Sequence, residues 1–323
     1  MQHSRRGERS RGFAPEQLSE LLLSRAAVRI VCMRGTVHLL TGADAMVLRP
    51  LTQPVMRRDL STNAEHAEAL RGIDFDALAA EGRRLIEERP SSMAQLRPLL
   101  AQTWPDRTPA ALAHGVRDLL PLVQVPPRGV WGKSGQPILT TLDHWLGQAI
   151  PADPAPDAMV LRYLAAYGPA SVLDVQAWSG LTRLGEVLDR LRPQLEVFES
   201  ESGTELFDLP DAPRPNVETT APVRILAPFD SMLLAYADRS RFMTAEHKSL
   251  LFTVNGIIKP AVLVDGLTAG VCVLGNGKSG AVLDVELFGK ITKRATTAVE
   301  REGLQLLRFA HPKAAAFDVR VHR

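Results

Sequence analysis

Cysteine is nearly absent from this chain: Cys32 and Cys272 are the only two among 323 residues. Two thiols so far apart exclude a disulfide framework and a four-cysteine metal site, and they suit a reducing compartment. Long apolar runs are missing as well, and none approaches the ~20 residues of a bilayer-spanning helix. The start, Met1-Gln2-His3-Ser4-Arg5-Arg6, has no apolar core of the kind a secretory leader carries. The expectation is a cytoplasmic protein with no membrane partner. Excess charge is also small, at +2, so any nucleic-acid contact must come from a local patch. Arg5, Arg6, Arg9 and Arg11 read either as a disordered start or as a flexible basic arm. No Ser/His/Asp arrangement, phosphate-cradling glycine loop or metal-ligand spacing stands out, so no metal and no small-molecule cofactor are expected. Gly275-Asn276-Gly277-Lys278-Ser279-Gly280 ends with a Lys-Ser pair but lacks full phosphate-loop spacing, and it reads as a turn between strands.

What is present is a repeated order of helices and hairpins. The clearest copy spans 158–208. Its first helix stops at Gly168-Pro169. Ser171 with Asp174 marks the start of a second helix that ends at Gly180. Thr182 opens a third, in which Leu184, Val187, Leu188 and Leu191 recur on one apolar face. Two short strands then flank Ser200-Glu201-Ser202-Gly203. Helix, helix, helix, hairpin is the order of a winged helix, a unit that commonly places its third helix in a DNA major groove. Residues 75–140 repeat the order, with Asp74, Ser92 and Thr108-Pro109 as helix starts. The chain begins with helix, hairpin, helix, which reads as the back end of another copy. Residues 61–72 read as a polar connection. Two proline-rich stretches, 150–156 and 210–222, read as linkers, and strands dominate after the second. The expected fold is α+β, with tandem winged-helix units followed by a small antiparallel β domain and a C-terminal helix. The expected division is 1–60 (a winged helix incomplete at its N-terminus), 61–149, 157–209 and 223–323.

Charge separates the hairpins. The last wing carries Glu196, Glu199, Glu201, Glu205 and Asp208 and no cation, which repels a phosphate backbone. Arg183, Arg190 and Arg192 on the preceding helix are offset by Glu186 and Asp189, so this unit reads as a packing module. From 121 to 142 there is no acidic residue, and Arg128 and Lys133 flank Trp131 among glycines. Cations with an aromatic suit phosphate contact plus stacking; a solvated loop with Trp131 tucked onto the core is the alternative. The first hairpin also lacks carboxylates. Arg34 at its tip is a candidate phosphate contact. His38 is either a donor to DNA or a packed strand residue.

Met33-Arg34-Gly35-Thr36-Val37-His38-Leu39-Leu40 resembles a signature of the bacterial winged-helix DNA-binding proteins that include the AlkZ-type DNA glycosylases. Trp178-Ser179-Gly180-Leu181, Pro228-Phe229-Asp230, Asp238-Arg239-Ser240 and Lys259-Pro260-Ala261-Val262-Leu263-Val264-Asp265-Gly266 resemble further motifs of that family, in order, from about Phe13 to Phe309. The resemblance implies tandem winged helices around a DNA cleft, double-stranded DNA as partner, and, in catalytic members, excision of alkylated purines. It also implies a catalytic Gln-x-Gln or Gln-x-Asp upstream of the first helix. Gln2-His3-Ser4 offers one glutamine and no match to that pair, with His3 and Glu8 the only substitutes nearby, so no catalytic residue is assigned and the motif is expected to be absent. Two readings stay open besides a glycosylase-like protein: a non-catalytic transcriptional regulator, and a structural remnant without DNA affinity. A monomer is expected.

Overall fold

The computed structural model describes residues 13–277 and 280–323. Gln2, His3, Glu8 and the arginines before Gly12 lie outside the described residues, as do Lys278 and Ser279. The chain divides into two compact units at Pro210/Asp211.

The first unit opens with α1 (Pro15–Leu23), β1 (Ala27–Val31), a tight helical turn at Met33–Gly35, and β2 (Val37–Thr41). Next come α2 (Gly42–Leu51) and α3 (Gln53–Thr62). Thr41 Oγ1 accepts the Asp44 amide at the start of α2. Pro50 sits in its last turn and Pro54 in the first turn of α3, so the chain breaks at Thr52 as the prolines require. The stretch expected to be a polar connection is instead helical at both ends, with α3 running to Thr62 and a short α4 (Ala67–Leu70). Leu60 and Leu70 explain the difference, because both are buried in the core of the helices that follow.

Those helices are α5 (Phe75–Glu88), α6 (Met93–Thr103) and α7 (Pro109–Leu119). Asp74 accepts two amides at the start of α5, and Ser92 with Gln95 forms a reciprocal cap on α6; such caps stabilise by about 1 kcal/mol each. Strands β3 (Leu122–Val125) and β4 (Ile138–Thr141) and helix α8 (Leu142–Leu146) complete this part. The hairpins β1–β2 and β3–β4 are joined edge to edge. They share one sheet of order β2-β1-β3-β4, with Arg29 opposite Gln124 and Ile30 opposite Val123.

After an irregular linker come α9 (Asp157–Tyr167), α10 (Val172–Ser179), α11 (Gly185–Leu191) and the hairpin β5 (Glu196–Glu199)–β6 (Glu205–Asp208). The Ser171–Asp174 cap and the left-handed Gly180 stop are both present. Leu184, Val187, Leu188 and Leu191 are buried as their spacing demands. They share a core with Val28, Ile30, Met33 and Leu40 of the first hairpin. The first hairpin and the third helical group are therefore one body.

The second unit holds β7 (Arg224–Ile225), α12 (Ala245–Leu251), β8 (Ala261–Val264), β9 (Leu267–Gly277), β10 (Gly280–Leu287), α13 (Lys293–Ala310) and β11 (Phe317–His322). Its sheet runs β11-β10-β9-β8-β7. The expectation of a wholly antiparallel sheet ending in a helix needs correction. β11 follows the long helix and pairs parallel with β10, because a crossover through α13 returns the chain in the same direction. Val299 and Leu307 of α13 close the core over the sheet. Among the described residues, no helix is long and apolar enough to cross a membrane.

Candidate nucleic-acid interface

Strand β1 carries a candidate at each end. Arg34 lies in the turn after β1 with φ of 56°, the left-handed region. Its Nη1 donates to the Trp178 carbonyl at the end of α10, and its Nη2 is 3.5 Å from His38 Nε2. Gly180 makes this approach possible. A Cβ there would lie 3.1 Å from the Arg34 backbone, and its φ of +81° suits glycine. The segments around Arg34 and Trp178, 144 positions apart along the chain, thus meet as one joint.

His38 completes that joint. Its Nδ1 is 2.9 Å from the Thr36 carbonyl, so Nδ1 carries the proton and Nε2 presents a lone pair toward Arg34. Burial lowers its pKa to about 4, and the Arg34 charge adds to the lowering, against the opposite pull of the Thr36 hydrogen bond. At neutral pH it is an uncharged acceptor, not a cation for phosphate.

The other end of β1 differs. The register sets Arg29 opposite Gln124, so residues 126–135, which follow β3, emerge at the end of the sheet away from the Arg34 turn. Arg128 and Lys133 therefore do not cluster with Arg34 and His38. Arg128 has Arg29 as neighbour instead. A Cβ on Gly129 would lie 2.6 Å from Arg29 Cδ, which fixes the loop against that side chain. Burial lowers the Arg29 pKa, and the adjacent Arg128 charge lowers it further. Arg29 Nε donates to Gln124 and Arg128 Nη1 to the Gly135 carbonyl; neither has a carboxylate partner among the described residues. The Trp131 amide donates to Ser19 Oγ on α1, and its side chain is 44% exposed. Lys133 is exposed. The result is a lysine and an indole on one loop, with a cation pair where Arg128 meets Arg29 of β1. In the sequence Arg29 is one of several hairpin cations; its pairing with Arg128 depends on the β1–β3 contact, which no local pattern signals.

The third helical group contrasts with this loop. Arg183 pairs with Glu186, Arg190 with Asp157 through two bonds, and Arg192 with Glu205 through two bonds. Asp208 is buried at the base of the hairpin, leaving Glu199 and Glu201 exposed near its tip.

A third cluster has no counterpart among the sequence expectations. Asp59 on α3 meets His114 and Asp118 on α7. Asp118 is buried, which pushes its carboxyl up to about 7; Arg117 pulls the other way and Asp59 adds to the rise. The His114–Asp118 spacing is visible in sequence; its partner 55 positions away is not.

A family model described as DNA glycosylase AlkZ-like matches residues 7–309. The chain belongs to the DNA glycosylase AlkZ-like family. An interstrand DNA cross-link repair glycosylase of Streptomyces sahachiroi is 26% identical over 195 residues, 55% of this chain and 45% of that protein. The matched stretch thus spans less than half the length of that relative. The solved structure of the DNA glycosylase AlkZ from Streptomyces sahachiroi superposes with a TM-score of 0.77 at 21% identity, over 95% of this chain and 85% of that one. The two chains share a fold, and that likeness agrees with the family assignment.

Proposed function

We propose that this protein binds double-stranded DNA in alkylation repair, with the loop 126–135 as a principal phosphate contact. The observation that carries the reading is the Arg29–Arg128 pair, two adjacent cations without a carboxylate partner among the described residues, beside exposed Trp131 and Lys133. A phosphate would relieve their repulsion, and the indole would stack on a sugar or base. Arg34 and His38 act in this reading as the joint that holds the hairpin to α10, with the three helical groups as tandem winged helices. Membership of a glycosylase family supports a damaged base as the target. An N7-alkylated purine is already cationic and leaves without a general acid, so its excision needs only an oriented water and a stabilised oxocarbenium ion.

Titration of duplex DNA at several salt concentrations tests the binding: log K falls linearly with log salt, by about 0.9 per phosphate neutralised. Absence of binding at low salt overturns it. Release of 7-methylguanine from an N7-methylated duplex separates a glycosylase from a regulator, which would instead prefer a defined unmodified sequence.

A further inference from the structure

Helices α3 and α7 gather three side chains that the DNA-facing loop does not use. His114 and Asp118 stand one turn apart and project from the same face of α7. His114 Nε2 is 2.8 Å from Asp59 Oδ2 and 3.4 Å from Asp118 Oδ2. The three donor atoms all lie within 4.8 Å of one another. The Asp118 side chain is 1% exposed, and neither of its carboxylate oxygens has a hydrogen-bond partner. A carboxylate so buried requires a proton or a cation beside it. The nearby arginines do not serve it closely. Arg117 Nε remains 3.8 Å from Asp118 Oδ1; Arg49 directs Nη1 to Gln53 and Nη2 to the Asp118 and Leu120 carbonyls, and its Nε is left without a partner. Asp59 is 43% exposed, so the cluster is closed on the Asp118 side and open to water on the other. That opening is an entry path for a hydrated ion.

We propose that Asp59, His114 and Asp118 hold a divalent transition-metal ion, zinc by donor chemistry, which ties α3 to α7. One imidazole nitrogen and two carboxylate oxygens form a donor set that suits Zn²⁺, whereas Ca²⁺ and Mg²⁺ require more oxygens. Bonds of ~2.0–2.2 Å to a tetrahedral ion place donors roughly 3.4 Å apart. The His114 separations lie at or just below that spacing, and the two carboxylates, no more than 4.8 Å apart, reach it by side-chain rotation. The fourth position faces the Asp59 opening and takes water. The His66 ring packs against the His114 ring at 4.5 Å between centroids, which limits its rotation and holds Nε2 toward the carboxylates.

The test uses the full chain, stripped with a chelator, dialysed, and titrated with ZnCl₂ in a calorimeter at neutral pH. Uptake of a single zinc ion per chain with a raised melting temperature is expected. Co²⁺ in its place gives a visible ligand-field band without thiolate charge transfer. D59N, at the open side of the cluster, lowers zinc affinity at least about 10–100-fold, the loss that even outer-sphere partners cause, and H114Q does the same. Melting of the stripped proteins checks that each variant is folded; if H114Q is not, D59N decides alone. Failure of the folded, stripped protein to take up zinc overturns the proposal, as does uptake that D59N leaves unchanged.

Discussion

The turn at Arg34 and the loop at Arg128 look equivalent as strings of residues. Each sets an arginine among glycines in a stretch free of carboxylates, next to a β-hairpin. Folding separates them. Arg34 is turned inward, onto the Trp178 carbonyl and His38. Arg128 is set beside a second arginine, with no carboxylate among the described residues to balance the pair. A cation becomes a ligand site only when the fold leaves its charge uncompensated, and that depends on residues far away in sequence. The first region is a joint of the fold; the second is a surface with a charge to satisfy.

The largest expected effect breaks the joint. G180V forces a β-branched residue to a φ of +81° and presses Cβ against the Arg34 backbone at 3.1 Å. A loss of about 2–3 kcal/mol is expected in denaturant unfolding. Next is pH. His38 titrates near 6.5 when unfolded and about 4 when folded, so the unfolded chain takes up the proton first. Its stabilising contribution is present above pH ~6.5 and is lost as pH falls toward ~4. Partial exposure scales the loss to about 2 kcal/mol. H38Q should flatten the stability profile across that window; an unchanged slope would show that His38 is not held neutral. A smaller cost, about 1 kcal/mol, is expected for R34Q, which keeps one N–H donor near Trp178 but no longer reaches His38. In the loop, W131A should weaken duplex binding by about 1–3 kcal/mol, the worth of one stacked base, measured on protein whose unfolding transition shows it folded.

Local chemistry was legible in most places where it was self-contained, with Thr182 an exception: α11 starts at Gly185 with Leu184 at its N-cap and no side-chain cap. Asp74, Ser92 and Ser171 cap helices where their side chains predict, and Gly180 stops α10. The apolar spacing of α11 gave its buried face outright. What escaped depends on pairings between distant residues. The β1–β3 contact, which merges two hairpins into one sheet and puts Arg29 beside Arg128, has no local signature. Neither has Asp59 meeting His114. β11 is a different case: Phe317-Asp318-Val319-Arg320-Val321-His322 alternates apolar and polar residues, so its strand pattern is legible even though the expected fold ended in a helix. For the site, the residue types around 128–133 were legible, while the inward turn of the Arg34 donors was not.

The most direct test of the division between joint and surface is the salt dependence of duplex binding, measured for the parent chain, for R34Q, and for R128Q combined with K133Q. The slope of log K against log salt is expected to fall by about two in the double variant, one unit for each phosphate no longer neutralised, and to stay at the parent value in R34Q. A slope that drops in R34Q and persists in the double variant would assign the DNA contact to the first hairpin and contradict the division of joint from surface.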